Sequence, residues 1–544
     1  MRFFFFKLFL LCLVSTGAFA SALPESVTAA LKRAHIPLSG VSILVQQTSA
    51  PKPLISLNAD RAINPASTMK LLTTIASLET LGPAYRWKTE AYLDGKLENG
   101  VLQGDLVFKG YGDPKLTIEQ FWLWMHELRQ RGLREIRGDI VLDHSYFETT
   151  RHDPGKFDHD PTRAYNVGPN ALLLNFNAIH LHLIPDGRKT RALIEPDLAG
   201  YTVVNRITTS RRLHCGGEKA YQAHLVGNDI VLEGSMPADC GEEDDYFSLL
   251  PQDKYFFAVF SALWKELGGT VQGKLRDGVV PAGAVPYSRY VSPPLAEVIR
   301  DINKFSNNTM ARQLFLTLGM AGQTDADRGS LLSAGSKDNR GDFLMPQALV
   351  ADSLQARQEG GDAVGPEDAI TSTPDSTQQD GNEISGNPQP SASGIAAAAG
   401  APPGANIALS IAVIRQWLAT QQLHFPELVL DNGAGLSRKA RISARHIAEL
   451  LQRVMNSPYH AELESSLPIL GIDGTVKKRF RDSDMAGYAH LKTGTLDGVK
   501  SIAGYVRAHD GRQWIVVFIV NNRNAALAEP AQNALIEWLQ MDAG

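Results

Sequence analysis

Cysteine is scarce in this chain, with three residues in 544, and Cys12 falls within an N-terminal apolar stretch. That leaves Cys215 and Cys240, too few for a disulfide framework. They make no zinc site of the usual kind either, because the nearby histidines, His214 and His224, lack finger-like spacing. A basic excess is also missing. The 53 Lys and Arg are outnumbered by 58 Asp and Glu, for a net charge of −5. This argues against a nucleic-acid binder that works by neutralising phosphates. Beyond the N-terminus no run of roughly 18 apolar residues occurs, so no membrane-spanning helix is expected in the mature chain.

What is present is an ordinary globular composition, 44% hydrophobic and 20% charged, in a length that accommodates about two to four domains. The N-terminus reads as an export signal over 1–20. Arg2 and Lys7 are positive, 8–14 form an apolar core, and Ala18-Phe19-Ala20 fits a signal-peptidase site. Removal of Arg2 and Lys7 takes the net charge from −5 to −7, and the mature chain is expected in the periplasm. In an exported protein Cys215 and Cys240 read as a disulfide closing a loop of about 25 residues; two reduced cysteines are the other reading.

Hydrophobic periodicity predicts a helix over 23–35, strands at 41–46 and 54–57, and a helix that runs from Ser67 to Gly82. From 88 to 285 short alternating segments separated by Gly, Asp and Pro turns predict one or two strand-rich inserted domains, with a helix near 117–132. Helical texture returns over 295–318. The tract 321–406 carries 12 acidic and 4 basic residues and almost no aromatics, and it is expected to be disordered. Helices then follow at 408–422, 444–455 and 527–539, and strands at 489–493, 501–508 and 514–520, the last two joined at Asp510-Gly511. The terminal strands can pair with those at 41–46 and 54–57 in one antiparallel sheet flanked by helices. The expectation is an α+β chain in which 21–87 and 286–544 build one domain and 88–285 is inserted into it.

Three short motifs carry chemistry. Ser67-Thr68-Met69-Lys70 sets a hydroxyl at a helix start with an amine one turn along. By itself it fits a helix-capping serine as well as a nucleophile. A second match, Ser49-Ala50-Pro51-Lys52, is broken by Pro51. Ser306-Asn307-Asn308 follows Phe305, and its decoy, Ser385-Gly386-Asn387, lies in the acidic tract. Lys492-Thr493-Gly494-Thr495 ends a predicted strand, and Lys-Thr-Gly occurs once.

A Ser-x-x-Lys helix, a Ser-x-Asn loop and a Lys-Thr-Gly strand in this order resemble the penicilloyl-serine transferase superfamily. With a long insert between the first two motifs, the chain resembles the penicillin-binding protein 4 family of D-alanyl-D-alanine carboxypeptidases/endopeptidases. Stretches at 61–81, 110–116, 431–437, 471–475 and 492–495 carry that resemblance too. It implies a β-lactamase/transpeptidase-like fold. It also implies Ser67 as nucleophile and Lys70 as its base, the amine freed by burial and by the neighbouring cation Lys492. Ser306 would relay a proton and Asn308 would hold Lys70. Lys492 and Thr493 would bind the substrate carboxylate, and the Ser67 and Thr495 N–H groups would form an oxyanion hole. Gly494 would let substrate lie against the strand. Peptidoglycan stem peptides and β-lactams are the implied partners, with no metal or other cofactor. A β-lactamase-like hydrolase and a wall-binding scaffold without turnover are the competing readings; the gap from Ser67 to Ser306 speaks against the first, and three intact motifs against the second.

Other polar clusters read as structure. His152, Asp153, Asp158, His159 and Asp160 sit in a Pro- and Asp-rich loop and are expected to be turn residues. His180 and His182 share a strand face without a third ligand of suitable spacing. His126-Glu127 opens a zincin-like pattern that Gln130 does not complete. The glycine-rich segments 431–435 and 471–474 are turns first, and cleft scaffolding by resemblance.

Overall fold

The computed structural model describes residues 23–148, 152–216, 219–321 and 404–541. The expected signal peptide and nearly all of the 321–406 tract lie outside the described residues.

Period-two burial builds the central sheet. Along Gln513–Asn521, Ile515, Val517 and Ile519 enter one hydrophobic cluster, while Trp514, Val516, Phe518 and Val520 enter another. A strand apolar on both faces belongs in the middle of a covered sheet. The observed order is Ala489–Leu496, Val499–Arg507, Gln513–Asn521, Val41–Gln47, Ile55–Leu57, antiparallel throughout. Both ends of the chain therefore meet in one sheet, as the strand pattern predicts. The expected tight turn at Asp510-Gly511 is present, with Gly511 N donating to Ala508 O at 3.0 Å. One face is covered by Glu25–Arg33 and Glu529–Met541 through Val27, Leu31, Leu535 and Leu539. Helices Lys70–Leu81, Leu295–Lys304 and Ala444–Met455 contribute to the cluster on the other face.

Two further sheets, of seven and six strands, arise between Lys88 and Val291. In the larger one Ser288–Val291 pairs antiparallel with Lys88–Glu98, so the sheet extends past 285. Backbone pairing sets that boundary, and composition does not report it. Helices Ile118–Gln130 and Gln252–Glu266 share an aromatic core in which Phe108 meets Trp124, Phe256 and Phe260 at 5.2–5.5 Å between centroids. Cys215 and Cys240 form a disulfide.

Two expectations change. The helical texture over 295–318 splits into Leu295–Lys304 and Asn308–Ala321, because Ser306 takes φ +56° and turns the chain. The two ends of the 321–406 tract are also structured. Ala321 ends a helix, and Ala405 is buried, its N donating to Tyr146 O at 3.1 Å and its O accepting from Glu148 N at 2.9 Å. Asn406 caps Ile407–Thr420 by accepting from Leu409 N at 2.9 Å.

Asp113, just after Val101–Gly110, is 2% exposed. Its Oδ1 accepts from Lys115 N at 2.8 Å, Oδ2 has no partner, and burial pushes its pKa up to about 7. The folded pKa lies above the ordinary 3.8, so between those values the native state keeps a proton that the unfolded chain has lost. Stability contributed at low pH is therefore lost as pH rises through this window, and the loss is complete above it. Asp113→Asn removes the titration. Its stability relative to wild type is expected to improve by about 2–3 kcal/mol between pH 5 and pH 8, read from denaturant unfolding curves. A pH-independent difference would contradict the assignment.

Candidate active site

Asn64-Pro65 leads into a 3₁₀ turn, Ala66–Met69, before the α-helix Lys70–Leu81 begins. Three residues per turn bring positions i and i+3 into line. Lys70 Nζ accordingly donates to Ser67 Oγ at 2.9 Å, and the N-cap positions of the 3₁₀ turn and of the helix fall on Pro65 and Met69, not on Ser67. Both side chains are buried, Ser67 at 5% and Lys70 at 0% exposure. Lys70 Nζ also donates to Asn308 Oδ1 at 2.6 Å and to Ala434 O at 2.8 Å.

The second motif joins the third through Ser306. Its left-handed backbone leaves Ser306 Oγ accepting from Lys492 Nζ at 2.7 Å, and Lys492 also donates to Thr493 O at 2.7 Å. Thr493 Oγ1 donates to Thr475 Oγ1 at 2.6 Å. The third motif closes back on the first. A Cβ added to Gly494 would lie 2.7 Å from Ser67 N and 2.5 Å from Ser501 Oγ. This adds a reason for that glycine, because the missing side chain also makes room for the nucleophile's own backbone. Ser67, Lys70, Ser306, Asn308, Lys492, Thr493 and Gly494 thus converge through direct contacts, and Thr495 is the next residue on the same strand.

Further contributors lie outside the three motifs; the resemblance implies the first of them as cleft scaffolding, and the others have no strong signal in the sequence. The 431–435 turn supplies Ala434 O to Lys70 and Gly433 O to Thr73 Oγ1, at 2.7 Å for the latter. From the inserted region, Phe157 and Tyr165 pack on Ala66, Leu436, Leu496 and Val499. Arg312, whose pKa burial pushes down to about 10, holds that loop by donating to Val167 O at 2.6 Å and Tyr165 O at 3.3 Å. The apolar spacing of 295–318 flags neither contact.

Behind the site, Lys304 Nζ donates to both Asp473 oxygens at 2.7 and 2.9 Å, and Ile469 N donates to Asp473 Oδ1 at 2.7 Å. Burial lowers the Lys304 pKa. The Lys304 side chain is 4% exposed and that of Asp473 33%. Asp473→Ala strands a buried ammonium and is expected to cost about 3 kcal/mol. Lys304→Ala should cost less, because water can reach Asp473. Thermal unfolding of both variants checks the order.

The expected turn residues form local hydrogen bonds. Asp158 accepts from Tyr165 OH and Asn166 Nδ2, each at 2.7 Å, and His152 Nε2 contacts Asn166 O at 2.7 Å. His180 and His182 do have a carboxylate neighbour that their spacing does not reveal, Asp244 on the adjoining strand, at 2.6 and 2.9 Å. Among the described residues, the one group of three metal-ligand side chains with converging donor atoms is Cys215, Cys240 and Glu243, whose sulfurs are bonded to each other.

The family model for D-Ala-D-Ala carboxypeptidase 3 (S13) matches residues 23–331 and 394–541. The chain belongs to this family. Its match skips 332–393, which lies within the acidic tract. A relative described as a D-alanyl-D-alanine carboxypeptidase of Actinomadura sp. (strain R39) is 24% identical over 547 residues, covering 97% of this chain and 86% of the relative. The D-alanyl-D-alanine carboxypeptidase DacB of Haemophilus influenzae is 21% identical, covering 89% and 85%. The crystal structure of penicillin binding protein 4 (dacB) from H. influenzae superposes with TM-score 0.65 at 20% identity, over 94% of this chain and 99% of that one. A second structure of that protein, complexed with a β-lactam, gives TM-score 0.64 at 18% identity, over 95% and 100%. This S13 chain therefore shares the α+β fold described above.

Proposed function

We propose that the chain is a serine-type D-alanyl-D-alanine carboxypeptidase and/or D,D-endopeptidase acting on peptidoglycan stem peptides after export to the periplasm. The observation that carries this reading is the Lys70 amine 2.9 Å from the Ser67 hydroxyl, with Asn308 and Lys492–Ser306 closing the site. In this reading residues 21–87 and 286–544 contribute the catalytic part, except that Ser288–Val291 pairs into the larger sheet of the insert.

Lys70, as the neutral amine, accepts the Ser67 proton while Oγ attacks the carbonyl of the penultimate D-Ala. Ser67 N–H and Thr495 N–H stabilise the oxyanion. Lys492 and Thr493 hold the terminal carboxylate, and Ser306 passes a proton to the departing amine. Expulsion of that amine leaves an ester on Ser67, which water hydrolyses. If the amine belongs to a second stem peptide, the same steps open a cross-link. Among the described residues no helix is long and apolar enough to cross a membrane, which is compatible with release into the periplasm.

Fluorescent penicillin should label the wild type covalently, and purified cross-linked muropeptides should divide carboxypeptidase from endopeptidase products. Absence of any covalent adduct would remove this reading, while rapid penicillin turnover would favour a β-lactamase-like hydrolase.

A further inference from the structure

The turn that carries Ser67 is strained and held from outside the three motifs. Ala66 is fully buried at φ +47°, a conformation that costs a non-glycine residue on the order of 1 kcal/mol and persists only where its surroundings impose it. Asn521, at the end of Gln513–Asn521, brackets the backbone of Asn64. Its Oδ1 accepts from Asn64 N at 2.9 Å, and its Nδ2 donates to Asn64 O at 2.9 Å. Asn64 passes the constraint on, because its Oδ1 accepts from Ala66 N at 2.9 Å and its Nδ2 donates to Ser437 O at 2.8 Å. Ser501, fully buried on the neighbouring strand, donates to Pro65 O at 2.7 Å and lies 3.4 Å from Gly494 O. Gly435 closes the remaining side, since a Cβ there would collide with Ala66 O.

These hydrogen bonds fix the backbone from Asn64 to Ala66 N, directly before the peptide unit that ends in the Ser67 N–H, and Gly435 lies against the Ala66 O of that unit. We infer that Asn521 and Ser501 are positioning residues for acyl transfer: they hold Ala66 left-handed and so aim Ser67 N–H beside the Gly494–Thr495 strand, where negative charge develops. The inference rests on the acyl-transfer reading above. Neither residue touches substrate in this account, so their contribution appears in the tetrahedral state and not in ground-state binding.

The test compares wild type, Asn521→Leu and Ser501→Ala in three measurements. These are the acylation rate constant with benzylpenicillin, the inhibition constant of a peptide boronic acid that forms a tetrahedral adduct on serine, and the dissociation constant of a D-Ala-D-Ala peptide. Acylation should fall about 10- to 100-fold and boronate affinity should fall in parallel, while peptide affinity stays within about twofold. Adding Ala66→Gly to Asn521→Leu should recover part of the lost acylation, because glycine adopts the left-handed conformation without the Cβ penalty. Each variant is checked for folding by its thermal transition, and the Ser501 variant stands if the Asn521 variant does not fold. Acylation within twofold of wild type in both variants overturns the inference, as does equal loss of peptide and boronate affinity. A wild type that benzylpenicillin does not acylate overturns the acyl-transfer reading and this inference together.

Discussion

Ser67→Ala is expected to abolish penicillin labelling and D-Ala release, and Lys70→Met to slow acylation by at least about a thousandfold, with both proteins folded. The Ser67 effect follows from loss of the nucleophilic oxygen that carries the acyl group in the proposed cycle. The Lys70 effect is that of removing a positioned base, typically worth about 10²- to 10⁴-fold, together with the group that orients Ser67. The upper part of that range applies because Lys70 also donates to Asn308 and Ala434, so its removal loosens the contact between two walls of the cleft. The two losses should not add in the double variant, since nucleophile and base act as a unit. Acylation is followed by the change in fluorescence of a labelled penicillin on mixing. If Lys70→Met retained a tenth of wild-type acylation, another group would have to take the Ser67 proton.

Gly494→Ala is the second large effect, a loss of about 100- to 1,000-fold in acylation. The added methyl must lie 2.7 Å from Ser67 N and 2.5 Å from Ser501 Oγ, closer than real Cβ contacts allow. Backbone lies on one side, and on the other a serine tied to Pro65 O, so no flexible side chain can yield. The strand must move away from Ser67 and carry Thr495 with it. Because Gly494 is not at positive φ, the backbone conformation itself tolerates alanine. The expected result is therefore an active-site defect larger than the stability defect, seen by comparing acylation with the thermal transition. Near-normal acylation would show that the strand relaxes without disturbing the oxyanion donors.

Much of this molecule can be read locally. The helical period links Ser67 to Lys70, although the turn between them is 3₁₀ and brings them closer into line than the expected α-helix start. The alternation along 514–520 marks a strand covered on both faces, and Asp510-Gly511 marks its hairpin. Motif order is enough for the resemblance to the penicillin-binding protein 4 family, and the S13 family match agrees with it. Gly494 illustrates the boundary of such reading. Its presence in Lys-Thr-Gly is plain in the sequence, yet one reason for it is a backbone 427 positions away in the chain, at Ser67.

Those features depend on residues a few positions apart, where covalent geometry and helical or strand periods restrict what can meet. The sequence alone therefore determined the local elements, the α+β class and the identity of the three motifs. Tertiary structure decided what surrounds them: Asn308 and Ala434 meet Lys70 across separations of 238 and 364 residues. Asn521 reaches Asn64 across 457 residues, and Phe157 and Tyr165 arrive from the insert. Contacts at such separations are set by sheet pairing and core packing, which leave no period along the chain. Ser67 stands out in the sequence as a hydroxyl beside an amine; the direction of its N–H is settled by side chains that only the folded sheet brings to it.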